Sequence, residues 1–344
     1  MRKYTAVLAL FAVLGTAATT SWARPPVENG QIVFRRYLDV GRTTGAIFTA
    51  NPDGSGAKQV TRPTRGVIDQ YPDFSPDGKR LVFHRMVPCP PEGKKNGIDR
   101  TCDLVYTAGR DGTGLKSLVP CSFDASRPVP DSCVGAHTPA WSPDGRQIAF
   151  SYSIVNAKYD ESLEVNRAIW IVNSDGTKPR QVTALTPGSY WDNEPRWSPD
   201  GSKLVFLRSD LKREAEAVFT LKVVGGELVQ LTPWALNAAG GPKWSPDGRW
   251  IVLTTHPRGG SENVQKVRPD GTRLTNLTKQ KAGGYHYLSS SFSPDGRLIV
   301  SARTPGAGPN GHADLVVMRA DGSAIHAITK TVLWESSVDW GPRG

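Results

Sequence analysis

Trp197-Ser198-Pro199-Asp200-Gly201-Ser202-Lys203-Leu204-Val205-Phe206 joins a tight turn to an apolar run. Pro presets φ for the second turn position, Asp tolerates the third, and Gly takes the left-handed residue that brings a short hairpin loop back into register. The same aromatic-Ser-Pro-Asp-Gly pattern stands at 74–78, 141–145, 244–248 and 292–296, and a worn copy, Asp339-Trp340-Gly341-Pro342, ends the chain. After each full copy comes an apolar run such as Leu81-Val82-Phe83 or Ile148-Ala149-Phe150. A second strand then leads to another turn, as in Ile169-Trp170-Ile171-Val172-Asn173-Ser174-Asp175-Gly176, and a last one closes on Thr, as in Gln181-Val182-Thr183 and Gln230-Leu231-Thr232.

Each repeat therefore reads as four antiparallel strands, A to D from the inside outward, and a single such sheet cannot bury both faces alone. Radial stacking solves this, with the strand A aromatics Trp141, Trp197, Trp244 and Trp340 in the core. The expectation is an all-β, six-bladed propeller of four-stranded blades. The first copy, at Gln31-Ile32-Val33-Phe34, lacks a strand A of its own; the last segment, Val338 to Trp340, is expected to supply it and close the ring.

Arg2 and Lys3 precede an apolar run from Ala6 to Leu14, and Ser21-Trp22-Ala23 offers a small-x-small cleavage site. Residues 1–23 thus read as a signal peptide and 24–344 as one propeller domain, periplasmic or secreted, with no membrane span. The 344-residue chain carries a formal charge of +10, but its basic residues are scattered and no Lys/Arg run marks a nucleic-acid arm. Cys89, Cys102, Cys121 and Cys133 read as disulfides of an oxidising compartment. Their order favours Cys89 with Cys102 and Cys121 with Cys133, though four cysteines permit three connectivities; zinc is disfavoured, with no CxxC spacing and no matched His pair.

The Ser-Pro-Asp-Gly turn, the Asp-Gly turn and the trailing Gln-x-Thr resemble the TolB-like, WD-related propeller repeat over almost all of the chain after residue 23. The resemblance implies the fold and little of the function, because the same repeat serves scaffolds, peptidase propellers and glycan lyases. TolB also carries an N-terminal α/β domain and a flexible partner-binding segment. With residues 24–30 alone ahead of the first repeat, both are expected to be absent here.

In this strand order the Ser-Pro-Asp-Gly and Asp-Gly turns share one regular face, and the B-to-C and D-to-A connections open on the other, where the irregular sequence collects. Strand A lines the axis. Five positions before its aromatic stand Asp69, Ala136, Asp192, Ala239, Tyr287 and Glu335; three before it stand Tyr71, Thr138, Glu194, Gly241, Ser289 and Ser337. Asp69, Asp192, Glu194 and Glu335 read either as a cation site, calcium being the ion that hard oxygen ligands suit, or as solvated or arginine-paired carboxylates. Tyr190, Trp191, Trp234, Tyr285, His286, Tyr287 and Trp334 are candidate anchors for a peptide or sugar, or else plugs of the channel mouth.

His137 and His286 enter strand A on the irregular face as candidate bases or ligands, whereas His84 and His326 read as structural. No Gly-x-Ser-x-Gly elbow and no fixed-spacing catalytic motif occurs. The function expected is a monomeric module that binds an envelope or extracellular protein, or a glycan, through its loop face. The alternative is a glycan-active propeller enzyme such as a polysaccharide lyase, with a base, a cation or Arg for the uronate and an aromatic floor.

Overall fold

Each Ser-Pro-Asp-Gly turn holds itself together before it packs on anything. In the turn at 75–78 the Gly78 N–H donates to Ser75 O at 2.8 Å, and the Ser75 hydroxyl donates to Asp77 Oδ1 at 2.6 Å and accepts from the Arg80 N–H at 2.9 Å. Gly78 has φ +67°, the conformation that calls for glycine. The Ser75 hydroxyl and the Lys79 N–H hold the Asp77 carboxyl below its usual range. The same bonds recur at Ser142 and Asp144, Ser198 and Asp200, Ser245 and Asp247, and Ser293 and Asp295.

The computed structural model describes residues 28–88, 101–119, 135–155, 165–184, 186, 188–257, 260–305 and 311–344. The expected leader and Cys89, Cys121 and Cys133 lie outside them. The first strand set runs from β24 (Glu335–Pro342) through β1 (Asn29–Tyr37) and β2 (Gly45–Ala50) to β3 (Lys58–Gln59). The second is β4 (Ile68–Phe74), β5 (Arg80–Pro88), β6 (Thr101–Gly109) and β7 (Lys116–Val119); the third is β8 (Ala136–Trp141), β9 (Gln147–Val155), β10 (Val165–Asn173) and β11 (Arg180–Gln181). Then follow β12 (Tyr190–Trp197), β13 (Lys203–Asp210), β14 (Ala215–Lys222) and β15 (Leu228–Gln230). The last two sets are β16 (Ala238–Trp244) to β19 (Thr275–Asn276), through β17 (Ile251–Thr255) and β18 (Asn263–Val267), and β20 (His286–Phe292) to β23 (His326–Ala327), through β21 (Leu298–Thr304) and β22 (Asp314–Arg319). Within every set neighbours are antiparallel; single parallel pairs, Gly45 with Ile68 and Arg167 with Trp191, link neighbouring sets.

The first and last described strands meet, since β24 pairs with β1 and places Trp340 opposite Ile32. The Trp340 indole N–H donates to Gly30 O at 3.1 Å. Apolar side chains of adjacent sets pack face to face: Val82 and Val105 meet Trp141, Ile148 and Phe150, and Val300 and Leu315 meet Ile32, Phe34 and Trp340. Trp141 and Trp340 are buried, while Trp197 and Trp244 are half-buried against the same interfaces. In five of the six strand sets a closing Thr completes the bonding of strand C. Thr61, Thr183, Thr232, Thr278 and Thr329 accept through Oγ1 from Ile47, Ile169, Val218, Val264 and Leu315 N–H at 2.8–3.1 Å. Without them these strand C donors would lack a partner at the strand D edge. Among the described residues no helix is long and apolar enough to cross a membrane.

Candidate functional site

The innermost strands follow one another in contact, β4 on β8, β8 on β12, β12 on β16, β16 on β20, β20 on β24 and β24 on β4. Each carries a β-bulge against its strand B partner, such as that between Gln70 and Asp73. Tyr71, Thr138, Glu194 and Ser337 sit in these bulges with φ of +49° to +55°. A bulge inserts an unpaired residue and re-aims its neighbours, so the positions before and after it meet different surroundings.

Before the bulge, three of the four carboxylates read as axial ligands are paired within their own sheet. Asp69 accepts from Arg85 Nε at 2.6 Å and Nη2 at 2.8 Å; Asp192 accepts from Arg208 Nε at 2.7 Å and Nη2 at 2.8 Å; Glu335 accepts from Arg36 Nε at 2.7 Å. Each pair lies directly cross-strand. The guanidiniums also cover the sheet's aromatics, Arg85 over Phe83 and Tyr106, Arg208 over Phe206 and Phe219, and Arg36 over Phe34 and Phe48. The fourth, Glu194, accepts from the Gly241 N–H at 2.6 Å, and burial raises its pKa. The structure does not gather these four into one cluster.

After the bulge, one position ahead of the aromatic, a second ring of charge fills the axis. Lys243 Nζ donates to Asp339 Oδ1 at 2.7 Å and to Val338 O at 2.8 Å, and the Ser291 hydroxyl donates to Asp339 Oδ1 at 3.0 Å. Asp73 accepts from the Trp141 N–H at 2.7 Å, and Arg196 donates to Pro195 O at 2.9 Å. Burial, then the repulsion of Asp339, pushes the Asp73 carboxyl up to about 6. Burial also opposes ionisation of Asp339, but the Lys243 ammonium, Arg196 and the Ser291 hydroxyl together outweigh it and hold that carboxyl below its usual range.

Four positions ahead of the aromatic runs a polar string that spans several sheets. Arg35 donates to Ser336 Oγ at 2.5 Å and to Gln70 Oε1, which turns the Gln70 amide nitrogen toward His84 Nδ1 at 3.4 Å. His84 Nδ1 then accepts, so the ring carries its proton on Nε2 and donates it to Asp103 Oδ1 at 2.6 Å. On the next sheet, His137 Nδ1 lies 3.3 Å from Asp103 and its Nε2 lies 3.0 Å from Ser153 Oγ. Ser153 accepts from Arg167 Nε at 2.9 Å, and Arg167 also donates to Asn193 Oδ1 at 2.7 Å. Burial lowers the pKa of Arg167. His84 and His137 meet edge to face with ring centres 5.1 Å apart.

Among the described residues, His84, Asp103 and His137 are the one group of three or more His, Cys, Asp or Glu that bring ligand atoms together. Of these, His137 was legible from its place in strand A. His84 reads as structural in sequence, and Asp103 is signalled only as a lone carboxylate beside Leu104 and Val105 in a strand. Cys102 precedes it, buried on β6.

The loop aromatics separate by burial. Tyr287 and Trp334 are buried; Tyr190, Trp191, Trp234 and His286 are half-buried, and Tyr285 is 42% exposed. Guanidiniums lie over the rings: Arg208 over Tyr190, Arg167 over Trp191, Arg213 over Trp234, Arg303 over Tyr285 and Arg42 over Trp334. Tyr190 and Trp234 stack with centres 6.3 Å apart, beside a cleft lined by Ser189, Tyr190, Asp210, Lys212 and Arg213. His286 Nδ1 accepts from the Glu262 N–H at 3.5 Å, and Glu262 pairs with His256 at 2.5 Å.

The family model described as the TolB beta propeller domain matches residues 127–344. The chain is 31% identical over 202 residues to YuxL, an uncharacterized peptidase of Bacillus subtilis, covering 48% of this chain and 29% of that protein. It is 30% identical over 229 residues to a TolB homolog of Chlorobium luteolum, covering 67% of this chain and 43% of the homolog, so it spans less than half the length of either relative. The crystal structure of TolB from Acinetobacter baumannii superposes with a TM-score of 0.65 at 19% identity, over 91% of this chain and 67% of that one, a likeness of fold. With repeat, strand order and family model in agreement, the chain belongs to the TolB β-propeller domain family.

Proposed function

We propose that this chain is an exported six-bladed propeller, residues 24–344 after loss of a leader at 1–23, that binds an anionic protein segment or acidic glycan of the envelope or extracellular space as a monomer. The unbroken succession of inner-strand contacts and the pairing of β24 with β1 support the closed ring. Pairing of Cys89 with Cys102 and of Cys121 with Cys133 would brace the loop face. The observation that carries the binding reading is the set of half-buried or exposed rings, Tyr190, Trp191, Trp234 and Tyr285, each topped by a guanidinium. Arg208 and Arg213 also bond Asp192 and Asp210, so the positive charge beside the rings is that of Arg167 at Trp191 and Arg303 at Tyr285, and a ring beside such a charge suits a ligand that offers both a contact face and a carboxylate.

The test is a titration of the purified protein with acidic and neutral oligosaccharides and with an acidic peptide, repeated for Trp234→Ala and Tyr285→Ala. An acidic ligand is expected to bind, and each variant to weaken it about tenfold or more, the loss of an aromatic anchor. Equal binding by parent and variants would show that the contact surface lies elsewhere. Absorbance from new unsaturated sugar ends during the titration would replace the binding reading with the lyase alternative.

A further inference from the structure

We infer that His84, Asp103 and His137 form a binding site for a divalent transition-metal ion of the zinc class, clipping β5 and β6 to β8. This goes beyond the ligand-binding reading of the loop face and does not depend on it. The three side chains come from two different sheets, yet one nitrogen of each imidazole and the carboxylate all lie within 4.8 Å of one another. Their side chains are 4%, 10% and 12% exposed. Ligands of a tetrahedral zinc ion stand roughly 3.4 Å apart, given metal–ligand bonds of about 2.0–2.1 Å. To admit the ion in place of the shared protons, the 3.3 Å contact scarcely changes, the 2.6 Å contact opens by about 0.8 Å, and the two imidazole nitrogens, within 4.8 Å, settle at the same spacing. Two imidazoles and one carboxylate suit zinc, cobalt or nickel; calcium asks for six to eight oxygens, which this site does not offer.

The surroundings set the strength of the site. When His84 Nε2 holds an ion, its Nδ1 carries the proton and needs an acceptor. The residue facing Nδ1 is Gln70, whose Oε1 is engaged by Arg35, so loading requires the Gln70 amide to turn over and leaves Arg35 with Ser336. His137 has no such conflict, because Ser153 Oγ can accept from Nε2–H as readily as donate to it. A single carboxylate offsets half the charge of a dication, and Arg35 and Arg167 each stand one residue further out along the string. Gln70→Glu therefore has a defined consequence. A carboxylate at that position accepts from Arg35 and from His84 Nδ1–H at once, adds a negative charge, and leaves all three ligands in place.

The experiment is equilibrium dialysis of the chelator-treated protein against zinc, with cobalt(II) absorption as a second readout, on the parent and on Gln70→Glu, Asp103→Asn, His137→Gln and His256→Gln. One ion per chain is expected, with a four-coordinate cobalt spectrum. Gln70→Glu should bind about tenfold more tightly, the scale of a partner that orients a ligand. Asp103→Asn and His137→Gln should lose the ion, and His256→Gln should keep it. No stoichiometric binding by the parent overturns the proposal, as does retention of the ion by folded Asp103→Asn and His137→Gln. Should those two fail to fold, the Gln70→Glu arm decides: affinity unchanged or weaker than the parent's overturns it.

Discussion

The charges before the bulge and those after it are built from similar residues and do different work. Before it, Asp69, Asp192 and Glu335 each bond an arginine on the adjacent strand of the same sheet, and each guanidinium also lies over that sheet's aromatic rings. After it, Lys243 of β16 bonds Asp339 of β24, and Ser291 of β20 bonds the same carboxylate, so partners come from different sheets. The first arrangement secures one sheet; the second secures neighbouring sheets to one another. An arginine that loses its carboxylate still lies over its sheet's rings, whereas Lys243 without Asp339 keeps a charge that burial disfavours.

That difference predicts the largest effect at the axis. Asp339→Ala leaves the Lys243 ammonium with only Val338 O and leaves the Ser291 hydroxyl with only a long bond to Phe292 O at 3.5 Å. We expect a loss of about 3–5 kcal/mol, the cost of removing one partner of a buried pair, read as a shift in the urea midpoint. A loss no larger than that of a rim pair would erase the distinction between the two rings.

Asp192→Ala should cost less, about 2 kcal/mol, the value of hydrogen bonds to a charged group, because Arg208 stays stacked on Phe206, Phe219 and Tyr190. The protein supplies its own control. At the equivalent position Ala239 faces Thr254, with no pair to break. Asp192→Ala with Arg208→Thr copies that arrangement and is expected to recover most of the loss. If the double variant is no more stable than the single one, the cost lies in the arginine's packing and not in its stranded charge.

The turns and the trailing Thr were legible because their hydrogen bonds are local: Ser75, Asp77 and Arg80 complete one another, and Thr183 reaches back to Ile169 across one hairpin. The rim clips were half legible. Asp69 and Asp192 stand at a repeat position, but Arg85 and Arg208 are identified as partners only once the register is known. The string at Gln70, His84, Asp103 and His137 was hidden because its members come from strands A, B and C of two sheets. The bulges that align them carry Tyr71, Thr138 and Glu194 at positive φ, residue types that do not advertise that conformation as glycine does. Two positions of strand A were read as axial; of these Glu194 reaches Gly241 on the next inner strand, while Asp69, Asp192 and Glu335 stay within their own sheets and the side chains one and four before the aromatic make the other contacts between sheets.

Asp73 sharpens the comparison through pH, with the smallest effect of the three. Its carboxyl titrates at about 6 in the folded protein against 3.8 for the free group, because it is buried and faces Asp339. The folded state thus holds this proton more tightly than the unfolded state, and the stability it contributes falls as pH rises from about 4 through 6. Asp339 has the opposite sign: its lowered pKa gives stability above the unfolded value that is lost on acidification. Asp73→Asn keeps an oxygen for the Trp141 N–H and removes the ionisation. It should match the parent near pH 4 and exceed it at pH 7 by about 1–2 kcal/mol, below the roughly 3 kcal/mol that the full shift would represent at about 1.4 kcal/mol per unit, since Arg196 and Lys243 lose a counter-charge. Thermal melts across pH 4–7 give the answer. A parallel pair of curves would mean that Asp73 ionises without cost and that the axis tolerates both carboxylates charged; curves that diverge from about pH 4 and level off near pH 6 would place the unfavourable charge at Asp73 and leave Asp339 and Lys243 as the pair that holds neighbouring sheets together.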